Sequence, residues 1–162
     1  MDGIWLSLRL FVLIGVANFA PLVARRLLRA RWQAPLDGGL RFFDGRPLLG
    51  PSKTVRGIVA SIVAATLLAP LLGIPIVLGA LIGAMAMVGD ALSSFVKRRL
   101  GVATSAEVIG LDQIPESLLP LLAVQGALSL SPLQIVGVTA AFVAFGIPLA
   151  RMVRRRRLRK RT

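Results

Sequence analysis

IVLGALIGAMAMVGDALSSFVKRR, residues 76–99, opens with fourteen uncharged residues and ends on three consecutive cations. Its apolar part, Ile76–Val96, is near the roughly 20 residues that a helix needs to cross a bilayer. Inside it stands one acid, Asp90. A carboxylate at mid-helix costs about 2.5–3.5 kcal/mol on insertion scales, so it needs a partner, a cavity or a cation. Asp90, Ser93, Ser94 and Lys97 recur at i, i+3, i+4 and i+7, which on an α-helix is one stripe. A membrane helix with a polar stripe at its basic end is the unit from which the rest is read.

Four further apolar stretches surround it: about 4–24, 57–72, 114–130 and 133–153. Gly73-Ile74-Pro75 breaks the chain before the third stretch, and Ser129-Leu130-Ser131-Pro132 separates the last two, so each pair reads as a hairpin with a minimal turn. The composition agrees. Of 162 residues, 56% are hydrophobic and 17% charged, against roughly half apolar and a quarter charged in soluble domains. A soluble fold of this size has too much surface to hide so many apolar side chains. The expectation is an all-α membrane protein: a bundle of about five transmembrane helices forming a single integral membrane domain over 1–162.

The net charge of +13 first suggests topology and anionic headgroups in such a protein. Nineteen of the twenty basic residues fall on one side of a five-helix arrangement: in the loop 25–56, just after the third helix, and in the tail. The exception is Arg9, within the first stretch. The positive-inside rule makes that side cytoplasmic, with the N-terminus outside, the C-terminus inside and the chain in the cell (inner) membrane as a multi-pass protein. The first stretch begins Met1-Asp2 without a basic n-region, so a retained helix is expected rather than a cleaved signal. The loops 25–56 and 98–113 face one compartment, and chemistry is expected there. The basic tail, 154–162, reads as a topology and lipid anchor. It lacks an aromatic platform for RNA, so nucleic acid is not an expected partner. Asn18 is expected to bond to a neighbouring helix.

Cys, His and Tyr are absent. This excludes thiol and imidazole chemistry and zinc sites of Cys and His. Any metal must be held by oxygen, and Mg²⁺ takes one or two carboxylates plus phosphate oxygens and water. Asp90 and Asp112 are the candidates, with Glu116 as a further one. Asp112 is also placed to N-cap the fourth helix, since Pro115 and Glu116 then fall in its first turn. The loop Gly45-Arg46-Pro47-Leu48-Leu49-Gly50-Pro51-Ser52-Lys53-Thr54 is not a Walker A sequence, because Pro51-Ser52 intervenes before Lys53-Thr54. Its logic is similar: a Gly/Pro turn, Ser52 or Thr54 as a cap, and Lys53 and Arg56 at a helix start suit a phosphate. Attraction to lipid headgroups would explain the same cations.

Taken in order, these residues resemble a family. Ser94-Phe95-Val96-Lys97-Arg98 is similar to the S-x-x-K-R core of the membrane CTP:phosphatidate cytidylyltransferases. The longer set resembles their small relatives, the CDP-archaeol synthases: Asp44-Gly45-Arg46, Gly50, Lys53-Thr54, Arg56-Gly57, Gly89-Asp90, Ser93-Ser94-Phe95, Lys97-Arg98-Arg99-Leu100-Gly101 and Asp112-Gln113. The family pattern continues Asp-Gln with a second Asp two residues later; Pro115 stands there, and Glu116 follows. The resemblance implies an integral membrane transferase of phospholipid biosynthesis. It would move CMP from CTP to an isoprenoid ether lipid phosphate, or a related phospholipid, giving a CDP-lipid and pyrophosphate with Mg²⁺. It implies Asp90, Lys97 and Asp112 as catalytic residues and Asp90, Asp112 and Glu116 as metal ligands. Asp44, Arg46, Lys53, Thr54, Arg56, Ser93, Ser94, Arg98 and Gln113 would bind substrate. The 17:3 excess of Arg over Lys suggests a GC-rich genome, and in a bacterial member the acceptor would be another phospholipid. Competing readings are a small anionic-lipid transporter or flippase and a non-catalytic homologue. A CDP-alcohol phosphotransferase lacks its D-G-x-x-A-R opening here.

Overall fold

The computed structural model describes residues 3–29, 31–103, 108 and 110–158, the last twelve as backbone alone. It contains five α-helices: α1 (Gly3–Leu28), α2 (Val55–Leu68), α3 (Ile76–Arg99), α4 (Gln113–Leu128) and α5 (Pro132–Leu158). The chain is thus an all-helical membrane bundle, as the five apolar stretches predict. Among the described residues, three spans are long and apolar enough to cross a bilayer: Gly3–Leu28, Val55–Leu72 and Ile76–Arg99. Side chains of the basic tail lie outside the described residues.

Local chemistry sets each boundary. Thr54 caps α2, its hydroxyl accepting from the Gly57 N–H. A single 3-10 turn, Pro70–Leu72, then closes on Gly73, which takes the left-handed conformation at φ 67°. Ser131 and Gln134 form a reciprocal box at the start of α5: the Ser131 N–H donates to Gln134 Oε1 at 2.9 Å, and the Gln134 N–H donates to Ser131 Oγ at 3.3 Å. Two orphan donors are satisfied together, with Pro132 as the first helical residue.

Small residues bring the helices close. A Cβ added to Gly79 would lie 2.5 Å from the Ala69 Cβ, and one on Gly83 would lie 2.8 Å from the Ile62 Cα. Gly79 and Gly83 are a G-x-x-x-G pair, which lets helix backbones approach where lipid supplies no hydrophobic drive. The Ser61 hydroxyl adds a hydrogen bond to the Gly83 carbonyl at 3.1 Å. Around this seam Leu10, Leu13, Ile14 and Ala17 of α1 pack with Ile82 and Ala86 of α3 and Leu121 and Val124 of α4.

Asn18 departs from expectation. Its Nδ2 donates to the Ile14 carbonyl at 3.0 Å, one turn back in the same helix. That bond satisfies the amide without a partner from another helix. The Gln134 amide donates to the Gly3 carbonyl at 3.0 Å and closes one end of the bundle. The C-terminal ends of α1 and α3 and the N-terminal ends of α2 and α4 gather at the other end, where the basic loops lie.

Candidate active site

At the basic end a cavity of about 860 Å³ opens between the helices. Its polar floor carries Lys53, Arg56, Asp90, Lys97, Asp112 and Glu116. Its other wall is apolar, with Phe11, Phe19 and Leu22 from α1 and Phe142 and Phe145 from α5. One space therefore joins a group of charges to a greasy surface.

Two ion pairs organise the charges. The Lys53 ammonium, from the loop before α2, meets the Asp90 carboxylate on α3. The Lys97 Nζ lies 2.7 Å from Asp112 Oδ1, joining α3 to the start of α4. The second pair is the more buried, with side chains 9% and 12% exposed, against 17% and 25% for Lys53 and Asp90. Glu116 completes the floor, on the cavity lining beside Asp90.

Asp112 occupies the N-cap position of α4 without capping it. Its backbone is already helical, at φ −81° and ψ −51°, and its side chain makes no cap hydrogen bond. Instead Oδ2 accepts from the Val108 N–H at 3.2 Å while Oδ1 faces Lys97. Capping therefore does not account for this acid. Gln113 lines the cavity beside it and accepts from the Gly110 N–H at 2.7 Å.

The close approach of α3 and α4 rests on Gly89. A Cβ there would stand 2.2 Å from the Pro115 carbonyl oxygen. With hydrogen alone at that point the two backbones meet, and the next residue of each chain, Asp90 and Glu116, becomes a neighbour. Pro115 fits because it lies in the first turn of α4, where its missing N–H has no helical acceptor to serve.

Not every predicted residue reaches the cavity. Thr54, Ser94, Arg98 and Gln113 line it together with the two ion pairs, Arg56 and Glu116. Ser93 is turned aside, its hydroxyl donating to the Asp90 carbonyl at 2.9 Å. Asp44 and Arg46 also stand outside the lining and clasp the first loop to the end of α3. Arg46 Nη1 donates to the Arg99 carbonyl at 2.6 Å, and Arg99 Nη1 pairs with Asp44 Oδ1 at 2.7 Å. The Arg99 guanidinium lies 4.7 Å above the Phe42 ring and 5.1 Å from that of Phe95. Arg56 ties α2 to the end of α1, Nη1 donating to the carbonyls of Arg29 at 2.9 Å and Arg31 at 2.6 Å.

Asp37 is the residue that sequence reasoning passed over. It is 7% exposed. Burial pushes its carboxyl up, but the N–H groups of Leu49, Gly39 and Gly50 outweigh this and hold it below the ordinary value. The signal was available: Asp37 precedes Gly38-Gly39, and Asp readily accepts from a backbone N–H two residues on.

The donors suit a hard cation. Asp90, Glu116 and Asp112 line one cavity and offer oxygen alone, the donor type a hard cation takes. Among the described residues no group of three or more acids has the spacing of a closed metal cluster.

Comparison with known proteins agrees with the geometry. Residues 31–153 match the family model described as CarS-like, CDP-archaeol synthase. A CDP-archaeol synthase of Thermofilum pendens is 39% identical over 104 residues, which is 61% of this chain and 51% of that protein. One from Pyrobaculum calidifontis is 39% identical over 122 residues, covering 70% of this chain and 72% of the relative. Several matches, that of Thermofilum included, span about half the length of the curated relative. A solved structure described as an intramembrane enzyme for archaeal membrane lipids biosynthesis superposes with a TM-score of 0.75 at 31% identity, over 88% of this chain and 91% of that one. With three quarters of its length matched and the same fold, this chain belongs to the CDP-archaeol synthase family.

Proposed function

We propose that the protein is a CTP:lipid-phosphate cytidylyltransferase that makes a CDP-lipid and releases pyrophosphate. Its acceptor is an archaeal-type ether lipid phosphate or a related phospholipid. One observation carries the reading: the pairs Lys53–Asp90 and Lys97–Asp112 share a single cavity whose opposite wall is apolar. A triphosphate and a lipid phosphate need cations and metal-binding acids at one point, and a lipid also needs a surface for its chains.

The reaction forms a bond from a lipid-phosphate oxygen to the α-phosphorus of CTP. The bond from that phosphorus to the bridging oxygen of pyrophosphate breaks, and pyrophosphate carries away the electron pair. This chemistry depends on positioning and charge neutralisation more than on a protein nucleophile. Asp90 and Asp112, with Glu116 beside Asp90, would hold Mg²⁺. When bound, the ion supplies charge neutralisation and orientation to the phosphates. Lys53 and Lys97 then exchange their carboxylate partners for phosphate oxygens, and Arg56 and Arg98 lie beside them to take further oxygens. The apolar wall of α1 and α5 keeps the lipid chains in the membrane phase while the phosphate reaches the floor. The basic end faces the cytoplasm, where CTP is found, and the chain resides in the cell membrane as a single integral domain.

The test is purified protein with labelled CTP, Mg²⁺ and a panel of lipid phosphates. Formation of a CDP-lipid is expected, and Asp90→Asn should abolish it while the protein stays folded. Folded wild-type protein that forms no CDP-lipid with any acceptor overturns the reading. Lipid flux without CMP transfer would point to a carrier instead.

A further inference from the structure

Asp37 lies outside the cavity, yet its contacts lead to it. Its carboxylate accepts from the Leu49 N–H at 2.8 Å, the Gly50 N–H at 3.1 Å and the Gly39 N–H at 3.0 Å. Leu49 and Gly50 begin the turn that delivers Lys53. Gly50 takes φ 93°, a conformation that leaves side chains strained, and the Lys53 N–H donates back to its carbonyl at 3.2 Å. The two arms of the loop are joined again beyond this point. The Leu36 N–H donates to the Lys53 carbonyl at 2.8 Å, and Pro35 and Thr54 form an antiparallel bridge. Thus Asp37 fixes one side of Lys53 and its neighbour Leu36 fixes the other.

We propose that Asp37 is a positioning residue for Lys53, setting the backbone from which the ammonium reaches Asp90 and, on the function proposed above, the nucleotide phosphates. The need for a carboxylate follows from the donors. Two consecutive N–H groups point at one oxygen and a third N–H at the other. Asparagine would offer one acceptor and turn an NH₂ group against N–H donors. Among the described residues nothing else in the loop binds both Leu49 and Gly50, so loss of this carboxylate frees the turn and with it the Lys53 side chain.

The experiment needs no catalysis. The full chain in detergent is pulsed with acetic anhydride at mildly alkaline pH, and acetylation of each lysine is followed by mass spectrometry. The expected result is that Asp37→Asn raises the labelling rate of Lys53 about tenfold, within the range of interaction energies between coupled residues. Asp90→Asn should do the same, and Lys97 should keep its rate in Asp37→Asn. Unchanged Lys53 labelling in folded Asp37→Asn overturns the proposal, as does an equal rise at Lys97, which would mean general loosening. Should Asp37→Asn fail to fold, Leu49→Pro removes the N–H that Asp37 binds at 2.8 Å, together with the leucine side chain, and must raise Lys53 labelling selectively; an unchanged rate overturns the proposal. Calorimetry of CTP with Mg²⁺ forms a second arm. Selective Lys53 exposure in a protein that does not bind CTP would uphold the positioning role and overturn the nucleotide reading alone. Where CTP binds, Asp37→Asn should weaken it, with no further loss in combination with Lys53→Met. Losses that multiply would overturn an action through Lys53.

Discussion

Gly89 and Pro115 meet backbone to backbone: a Cβ on the glycine would lie 2.2 Å from the proline's carbonyl oxygen. Neither atom can swing away as a side chain could. Gly89→Ala must therefore push α4 from α3 and part Asp90 from Glu116. We expect CMP transfer to fall about 100-fold, the usual cost of an ångström-scale misplacement. Gly126→Ala and Gly137→Ala, whose added Cβ atoms meet nothing within 4 Å, should leave transfer and melting temperature close to wild type. Activity and thermal melting of the three variants check this.

The Lys97–Asp112 pair is buried and spans two helices. Removing one partner of such a pair leaves a charge without its counter-ion, at a cost of about 3–5 kcal/mol. Lys97→Met should thus melt well below wild type. The double variant Lys97→Met, Asp112→Asn should recover much of that loss, although neither variant should transfer CMP. A double variant no more stable than Lys97→Met would show that the pair contributes little.

Lys53 covers Asp90 with a tethered cation. A divalent ion that binds Asp90 must displace it. Lys53→Met should therefore bind Mn²⁺ more tightly than wild type when no nucleotide is present, by about tenfold on the usual scale of coupling between sites. It should bind CTP more weakly in the presence of metal. Electron paramagnetic resonance of free Mn²⁺ reads the first effect and calorimetry the second. Equal Mn²⁺ affinity in the two proteins would mean that Lys53 and the metal do not compete.

Asp37 predicts a pH dependence whose sign is fixed. Its carboxyl sits below the ordinary value of 3.8 in the fold, so the unfolded chain takes up the proton first. Its stabilising contribution is complete above the ordinary value and is lost as pH falls through the lower folded value. The melting temperature of Asp37→Asn should lie below wild type by a constant amount from neutrality down to about pH 5, since protonation matters only near and below the unfolded carboxyl range. The gap should close at more acid pH. A gap that widens on acidification would contradict the hydrogen bonding seen here.

Much of this bundle is legible in residue order because membrane helices follow hydropathy closely. The polar stripe of α3 is legible for the same reason, but only in part. At about 100° per residue, Ser93 stands roughly 60° to one side of Asp90 and Ser94 roughly 40° to the other. Met87, Ala91 and Arg98 share the side of Ser94, and that is where the cavity opened. No spacing rule says which flank faces a neighbour. The pairing of Lys53 with Asp90 is equally hidden, since the sequence offers Lys53 as a group for substrate and Asp90 as one for metal, and no spacing joins them. Asp112 looked like a cap because caps are local, whereas its partner Lys97 comes from another helix. Asp44 and Arg46 lie within a motif yet serve the end of α3. A motif marks what must be kept, and holding a loop is reason enough.

The fourth helix has 16 residues, about 24 Å at ~1.5 Å per residue. The hydrocarbon core of a typical bilayer is about 30 Å thick. A mismatch of this kind is relieved by thinning of the surrounding lipid or by snorkelling of flanking groups. Asp112, Gln113 and Glu116 begin that helix, so any thinning of lipid around its short end would be centred on these acids. Reactants arriving from water would then cross less hydrocarbon to reach them.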